Sequence, residues 1–250
     1  MGPCQTIDEV IAFLDQIIAR CAQEHSRLGY FATLYRDVTV QVRKGIETGR
    51  FEDGLRMERL DVIFANRYFD ALECHWAGKK PTASWAVAFH SAHKRQPIIL
   101  QHLLLGMNAH INLDLAIAAV QVAPGEKLPG LKRDFFEITV LLHEMIRDVQ
   151  HRIEYVSPWI RILDHLGGRT DEVICAFAIA EARDLAWSAA ERLAKMEPEQ
   201  FEQEISAHDR VVAELGKDIR SPGWPLSLGL RAIRIRESFP IDRVITALRM

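Results

Sequence analysis

Apolar residues recur every three or four positions along nearly the whole chain, which is the spacing of one helix face, and no segment alternates as a half-buried strand does. Ile7, Val10, Ile11, Leu14, Ile17, Ile18 and Cys21 form the first stripe, with Thr6 placed to cap it and Glu9 three residues on. A second helix is predicted from about Tyr30 to Thr48, ending near Gly49, and a third from about Leu55 to Trp76, stopped by Gly78 and Pro81. A shorter one around Ser84 to His93 precedes a helix that Pro97 can start and Pro124-Gly125 closes. After a loop holding Pro129 and Gly130, Phe135 to Tyr155 reads as helix; Pro158 then opens a short one ending at Gly167-Gly168. Thr170 caps a long helix through about Lys195, and Pro198 starts a polar one to about Leu215. Two short helices divided by Pro240 follow Trp224. The expectation is all-α: one helical domain over residues 1–250, a single bundle of about ten helices around a buried central helix.

The central helix departs from this plain pattern. Between Gln101 and Leu115 an otherwise apolar stretch carries His102, Asn108, His110, Asn112 and Asp114. Polar groups buried without partners cost free energy, so this helix must organise a polar network or contribute to a site. At about 100° per residue, His102, Gly106, His110 and Asp114 share one stripe, and Asn108 and Asn112 point nearly the opposite way. His102 and His110 lie roughly 12 Å apart along the axis, too far to share one metal ion. His110 and Asp114 are one turn apart, a spacing that suits two ligands of zinc or another divalent ion and equally suits a hydrogen bond. Gly106 costs a helix about 1 kcal/mol relative to alanine, so it implies either room for a ligand or close approach of another helix.

Partners for this stripe must come from elsewhere. Asp61 and Arg67 sit among large apolar residues of the third helix, Asp61 as a candidate to complete the His110–Asp114 pair and Arg67 to recognise a carboxylate. Arg183 and Trp187, four residues apart, suit a cation–π contact or a shared wall for an anionic, partly apolar ligand. Asn108 and Asn112 are further ligand-binding candidates. His143-Glu144 begins like a zincin motif, but Arg147 stands where the second histidine belongs. His208-Asp209 has the form of an HD pair in a very polar segment. No Walker loop, G-x-G-x-x-G or G-x-S-x-G sequence is present.

Composition narrows the classes. With 48% hydrophobic residues in 250, the chain can build a large core, and its net charge of -3 gives no general attraction to nucleic acid. Cys4, Cys21, Cys74 and Cys175 are dispersed, and the first residues have no signal-peptide pattern, which points to a reducing cytoplasm. The run from Leu103 to Val122 is long enough to raise the question of a membrane span, but its His, Asn and Asp content argues for a core helix.

Asn108-Ala109-His110-Ile111-Asn112 followed by Asp114-Leu115 resembles the core motif of an uncharacterised bacterial domain family. The likeness extends from Tyr30-Phe31-Ala32 through Arg56-Met57 and Asn66-Arg67-Tyr68 to the stretch from Ala182 to Trp187. It implies a mainly helical protein and brings no activity, substrate or cofactor. The His110–Asp114 pair is also similar to the H-x-x-x-D pairs of the zinc-dependent phospholipase C and P1-type nuclease group, but the chain has no H-x-x-x-E pair and no N-terminal tryptophan ligand. Two functional readings follow. In one, the chain is a metal-dependent hydrolase of a small ester or phosphoester, with the ion on His110 and Asp114, Asp61 completing the site and His102 moving protons. In the other, it is a non-enzymatic ligand-binding or interaction module with a structural polar core.

Overall fold

The structure is a computed structural model and describes residues 2–161, 171–224 and 226–249. In chain order the helices are α1 (Ile7–Gln23), α2 (Leu28–Glu47), α3 (Gly54–Trp76), α4 (Ala83–Ala92) and α5 (Ile99–Ala109), which runs through a π-helical turn, His110–Asp114, into α6 (Leu115–Val122). After a 3-10 turn come α7 (Leu128–Val156), α8 (Asp171–Leu193), α9 (Pro198–Arg220), α10 (Leu226–Arg236) and α11 (Ile241–Arg249). Among the described residues there is no strand, and with the three-part central helix counted once there are 10 helices, as an all-α bundle requires.

Most helix starts follow local chemistry. Thr6 accepts the Glu9 amide at 3.2 Å, and the Glu9 carboxylate reaches back to the amide of Gln5 at 2.6 Å. One boundary moves. The expected loop at Pro129-Gly130 is the first turn of α7, where a proline lacks only an N–H that has no intrahelical partner anyway, and Leu128 and Leu131 are buried there. The Gly167-Gly168 stop and the Thr170 cap lie outside the described residues.

The central helix packs against α2, α3, α4, α8 and α9. Leu103, Leu105 and Ala109 belong to one apolar cluster with α1, α2, α4 and α11, and Leu113 with the residues from Leu115 to Val120 belongs to another with α7 and α8. It therefore threads both cores. The Ile99–Val122 segment is long and apolar enough to cross a membrane, yet 78% of its most apolar window is buried inside the protein. That is the environment of a core helix.

Three helix starts are held by carboxylates from remote parts of the chain. Asp134 on α7 accepts the amides of Glu52 and Asp53 at 2.7 and 3.0 Å, ahead of α3. Asp209 on α9 accepts those of Ala83 and Ser84 at 2.6 and 2.9 Å, where Thr82 provides no side-chain cap. Glu237, just past α10, accepts the Ile99 amide with both oxygens at 3.0 and 3.1 Å. Asp209 and Glu237 thereby satisfy orphan donors at helix starts, whereas Asp134 holds the backbone just ahead of α3, whose N-cap is Asp53. The HD pair is thus structural: Asp209 holds α4, and His208 Nε2 lies 2.6 Å from the Asn112 carbonyl in the π turn.

Gly106 marks a close approach. A Cβ built there would lie 2.4 Å from Cγ of the Phe31 ring on α2, so glycine is required by the α2–α5 contact and not by a ligand. Gly106→Ala is expected to lower stability by about 1–3 kcal/mol through overpacking, despite alanine's higher helix propensity. Urea denaturation checks this; an unchanged or raised midpoint would show that Phe31 gives way freely.

Candidate functional site

Asp114 is the deepest charge in the described residues of the central helix, 1% exposed. Its Oδ1 accepts Arg67 Nε from α3 at 3.0 Å, and its Oδ2 accepts Trp85 Nε1 from α4 at 2.8 Å. His110 Nδ1 lies 3.3 Å from the same Oδ2, one turn back on the helix. A buried carboxylate is tolerated where charge-assisted donors satisfy both oxygens, and here they come from three different elements. Arg67 does recognise a carboxylate, as the sequence suggested, but one supplied by the protein itself.

His110 is enclosed by aromatic rings. Phe64 stacks on it at 3.5 Å between centroids with planes 6° apart, and Tyr35 meets it edge-on at 4.6 Å. Phe31, Tyr68 and Trp85 complete the enclosure. Burial pushes the imidazole below its ordinary pKa range, against the opposing pull of Asp114. The ring is therefore neutral at pH 7: Nδ1–H donates to Asp114 and Nε2 keeps a lone pair, for which the structure gives no hydrogen-bond partner. A carboxylate-oriented imidazole with a free Nε2 is the arrangement of a general base. With His110 only 2% exposed behind its aromatic walls, nothing in this conformation lets a substrate proton reach it.

Two more buried atoms in this interior lack a hydrogen-bond partner: the Tyr35 hydroxyl and Asp61 Oδ2. Burial, and then the Glu58 charge, push the Asp61 carboxyl up to about 8. Burial also raises the Tyr35 hydroxyl well above its usual value, with the Asp61 and Asp114 charges adding to it. Asp61 does not complete a metal site with His110 and Asp114: among the described residues, no group of three His, Cys, Asp or Glu side chains is placed to hold a metal ion. A cation at Asp114 would moreover sit against the Arg67 guanidinium.

The remaining candidates separate. Asn108 Nδ2 donates to the Val212 carbonyl of α9 at 2.9 Å, and Asn112 Nδ2 to Asn108 Oδ1 at 2.9 Å, so the two asparagines face α9 as their helical angle requires. Arg183 is 3% exposed; its guanidinium lies 4.5 Å over the Phe135 ring, donates to Thr139 Oγ1 at 2.9 Å and also bonds the Phe135 carbonyl. Burial draws it down to about 9. Trp187 packs on the same Phe135 ring at 5.0 Å and donates to Glu191 at 2.8 Å. Arg183 and Trp187 share an aromatic wall, but it encloses the α7–α8 contact. His102 lies apart from His110, beside Tyr30 with ring centroids 5.9 Å apart, and borders a cavity together with Arg27, Arg234 and Glu237. No motif marks this grouping, since Arg27, His102 and the Arg234–Glu237 pair come from three parts of the chain far apart in sequence.

Fold and site define a helical protein built on a buried carboxylate–imidazole–arginine network. The chain belongs to DUF5995, a family of unknown function, which it matches over residues 7–222. No match was found among curated proteins or among solved structures.

Asp114→Ala is expected to cost about 1–3 kcal/mol, because it leaves the buried Trp85 N–H without an acceptor and removes the partner of the partly exposed Arg67, whereas Glu204→Ala changes stability by roughly 0.5 kcal/mol or less. Equal denaturation midpoints at equal slopes would refute the network. Asp61 gives a pH test. Its folded pKa of about 8 lies above the unfolded value of about 3.9, so its contribution is fully present below the lower value and is lost as pH rises toward the upper one. Asp61→Asn removes that loss. The stability difference between variant and wild type should therefore move in the variant's favour between pH 4 and pH 8, by on the order of a few kcal/mol. A difference independent of pH would show that Asp61 ionises freely in the folded chain.

Proposed function

We propose that this chain is a non-enzymatic helical module that binds a small molecule, with the Asp114–His110–Arg67–Trp85 network as its structural polar core. The observation that carries this reading is the engagement of Asp114: both oxygens accept donors from α3, α4 and its own helix, the Arg67 cation lies against them, and among the described residues no third metal-ligating side chain converges there. A metal-dependent hydrolase would need at least three converging donors and a path for substrate. The aromatic enclosure of His110 supports a packing role for the ring, which fills the space between α2 and α3 while its Nδ1 fixes the Asp114 rotamer. The reading places the protein in a reducing cytoplasm, supported by free thiols at Cys4, Cys21 and Cys74, and gives it no nucleic-acid partner, in keeping with a net charge of -3.

Metal analysis is the decisive test. Purified protein exposed to zinc or manganese and then dialysed is expected to retain well under one equivalent, with no change on His110→Ala. One equivalent of either metal, retained by the wild type and lost in a folded His110→Ala variant, would overturn the module reading and restore the hydrolase.

A further inference from the structure

The carboxyl ends of α3 and α4 meet at the surface, outside the Asp114 network, and each brings a histidine. His75 lies in the last turn of α3, and His93 is the residue that follows α4. Their Nε2 atoms face each other 3.2 Å apart. His75 is half-buried, flanked by the Phe89 ring at 5.1 Å between centroids, and His93 is exposed. His90, one turn before His93, is also exposed, and its ring stands edge-on to that of His75 at 6.1 Å.

Two neutral imidazoles at this distance can make one hydrogen bond, an Nε2–H donating to the other Nε2 lone pair, at the long end of the ordinary range. The same separation fits a metal ion. Two nitrogens on one tetrahedral zinc, each at about 2.0–2.1 Å, are about 3.3 Å from one another, so both Nε2 atoms already stand where two ligands of a single ion belong.

The surroundings favour the ion. Burial, and then His93 and His90, keep the His75 ring below its ordinary pKa, so it is neutral at pH 7 and able to ligate. Two helices end here, and the partial negative charge of their last carbonyls favours a cation. The pair is open to solvent, so an ion reaches it without any opening of the fold. Among the described residues no third His, Cys, Asp or Glu converges on it, which leaves the remaining coordination positions to water. Imidazole nitrogen selects zinc, nickel or copper over magnesium and calcium, which take oxygen ligands.

We propose that His75 and His93 form a two-imidazole site for a divalent transition ion of the zinc type, with water in its remaining positions. The ion ties the end of α3 to the end of α4, the two helices that deliver Arg67 and Trp85 to Asp114. The site is separate from the His110–Asp114 pair and goes beyond the module reading. With only two protein ligands and open access it exchanges freely: it fills in the presence of free zinc and empties on dialysis.

Calorimetric titration of the full chain with zinc chloride, at neutral pH in a buffer that does not chelate, tests it. One equivalent is expected to bind with a dissociation constant on the order of 10 μM, and magnesium not to bind. His75→Ala and His93→Ala should each weaken zinc binding by about tenfold or more, since one imidazole is left, while His25→Ala, which removes an exposed imidazole elsewhere, leaves it unchanged. If His75→Ala does not fold, the wild type answers in its place: the Nε2 resonances of His75 and His93 should shift together as zinc is added. Zinc at about a hundredfold above its dissociation constant should also raise the melting temperature of the wild type by several degrees, and not that of His93→Ala. Binding undiminished by His93→Ala, an equal loss in His25→Ala, ring resonances that stay still at saturation, or no binding up to about 1 mM zinc would overturn the site and leave the pair as a hydrogen bond. Those results bear on His75 and His93 alone, whereas metal retained through dialysis and lost in His110→Ala bears on the module reading.

Discussion

The burial of one carboxylate organises the middle of this protein. Asp114 cannot stay ionised in the interior without donors on both oxygens, and those donors must reach it from helices that otherwise share only apolar contacts. Arg67 thereby sets the rotation of α3 against the central helix, and Trp85 sets α4. Apolar packing alone tolerates small slips between helices; a carboxylate bonded in three directions does not. The close seat of Phe31 over Gly106 lies on the same stripe about two turns earlier, so charge and steric fit select the same face.

The helical spacing made the architecture legible, and the burial of the central helix followed from its being apolar nearly all round. The same spacing separated the two sides of that helix correctly: His102, Gly106 and His110 face α2, while Asn108 and Asn112 face α9. What it could not give was the partner of each group. Asp114 is 47 residues from Arg67, and Asn108 is 104 from Val212; a periodicity assigns a face but says nothing of what lies opposite it. Asp61 is on the expected helix, where its charge acts on Tyr35, but it is not a third donor beside Asp114. The π turn left no local mark in the spacing, and His208 from α9 lies at hydrogen-bond distance from its Asn112 carbonyl.

His110–Asp114, His208–Asp209 and Arg183–Trp187 each have spacings that suit either chemistry or packing, and in the fold each makes hydrogen bonds or ring contacts inside the protein. In a bundle this size, many helix ends finish inside the protein, and polar residues are needed there for reasons unrelated to catalysis. His102 Nε2, like His110 Nε2, remains without a partner after the helix ends are accounted for.

The long-range caps also bear on the order in which the chain can become structured during synthesis. The amide of Ala83 waits for a carboxylate 126 residues downstream, and that of Ile99 for one 138 residues downstream. As the polypeptide leaves the ribosome, the starts of α4 and α5 emerge long before the groups that complete them, so the central helix is made early but secured late. A nascent chain halted after α7 would hold its most apolar segment with its start uncapped, and holding it in solution until the last helices arrive would fall to whatever binds exposed apolar surface in the cell.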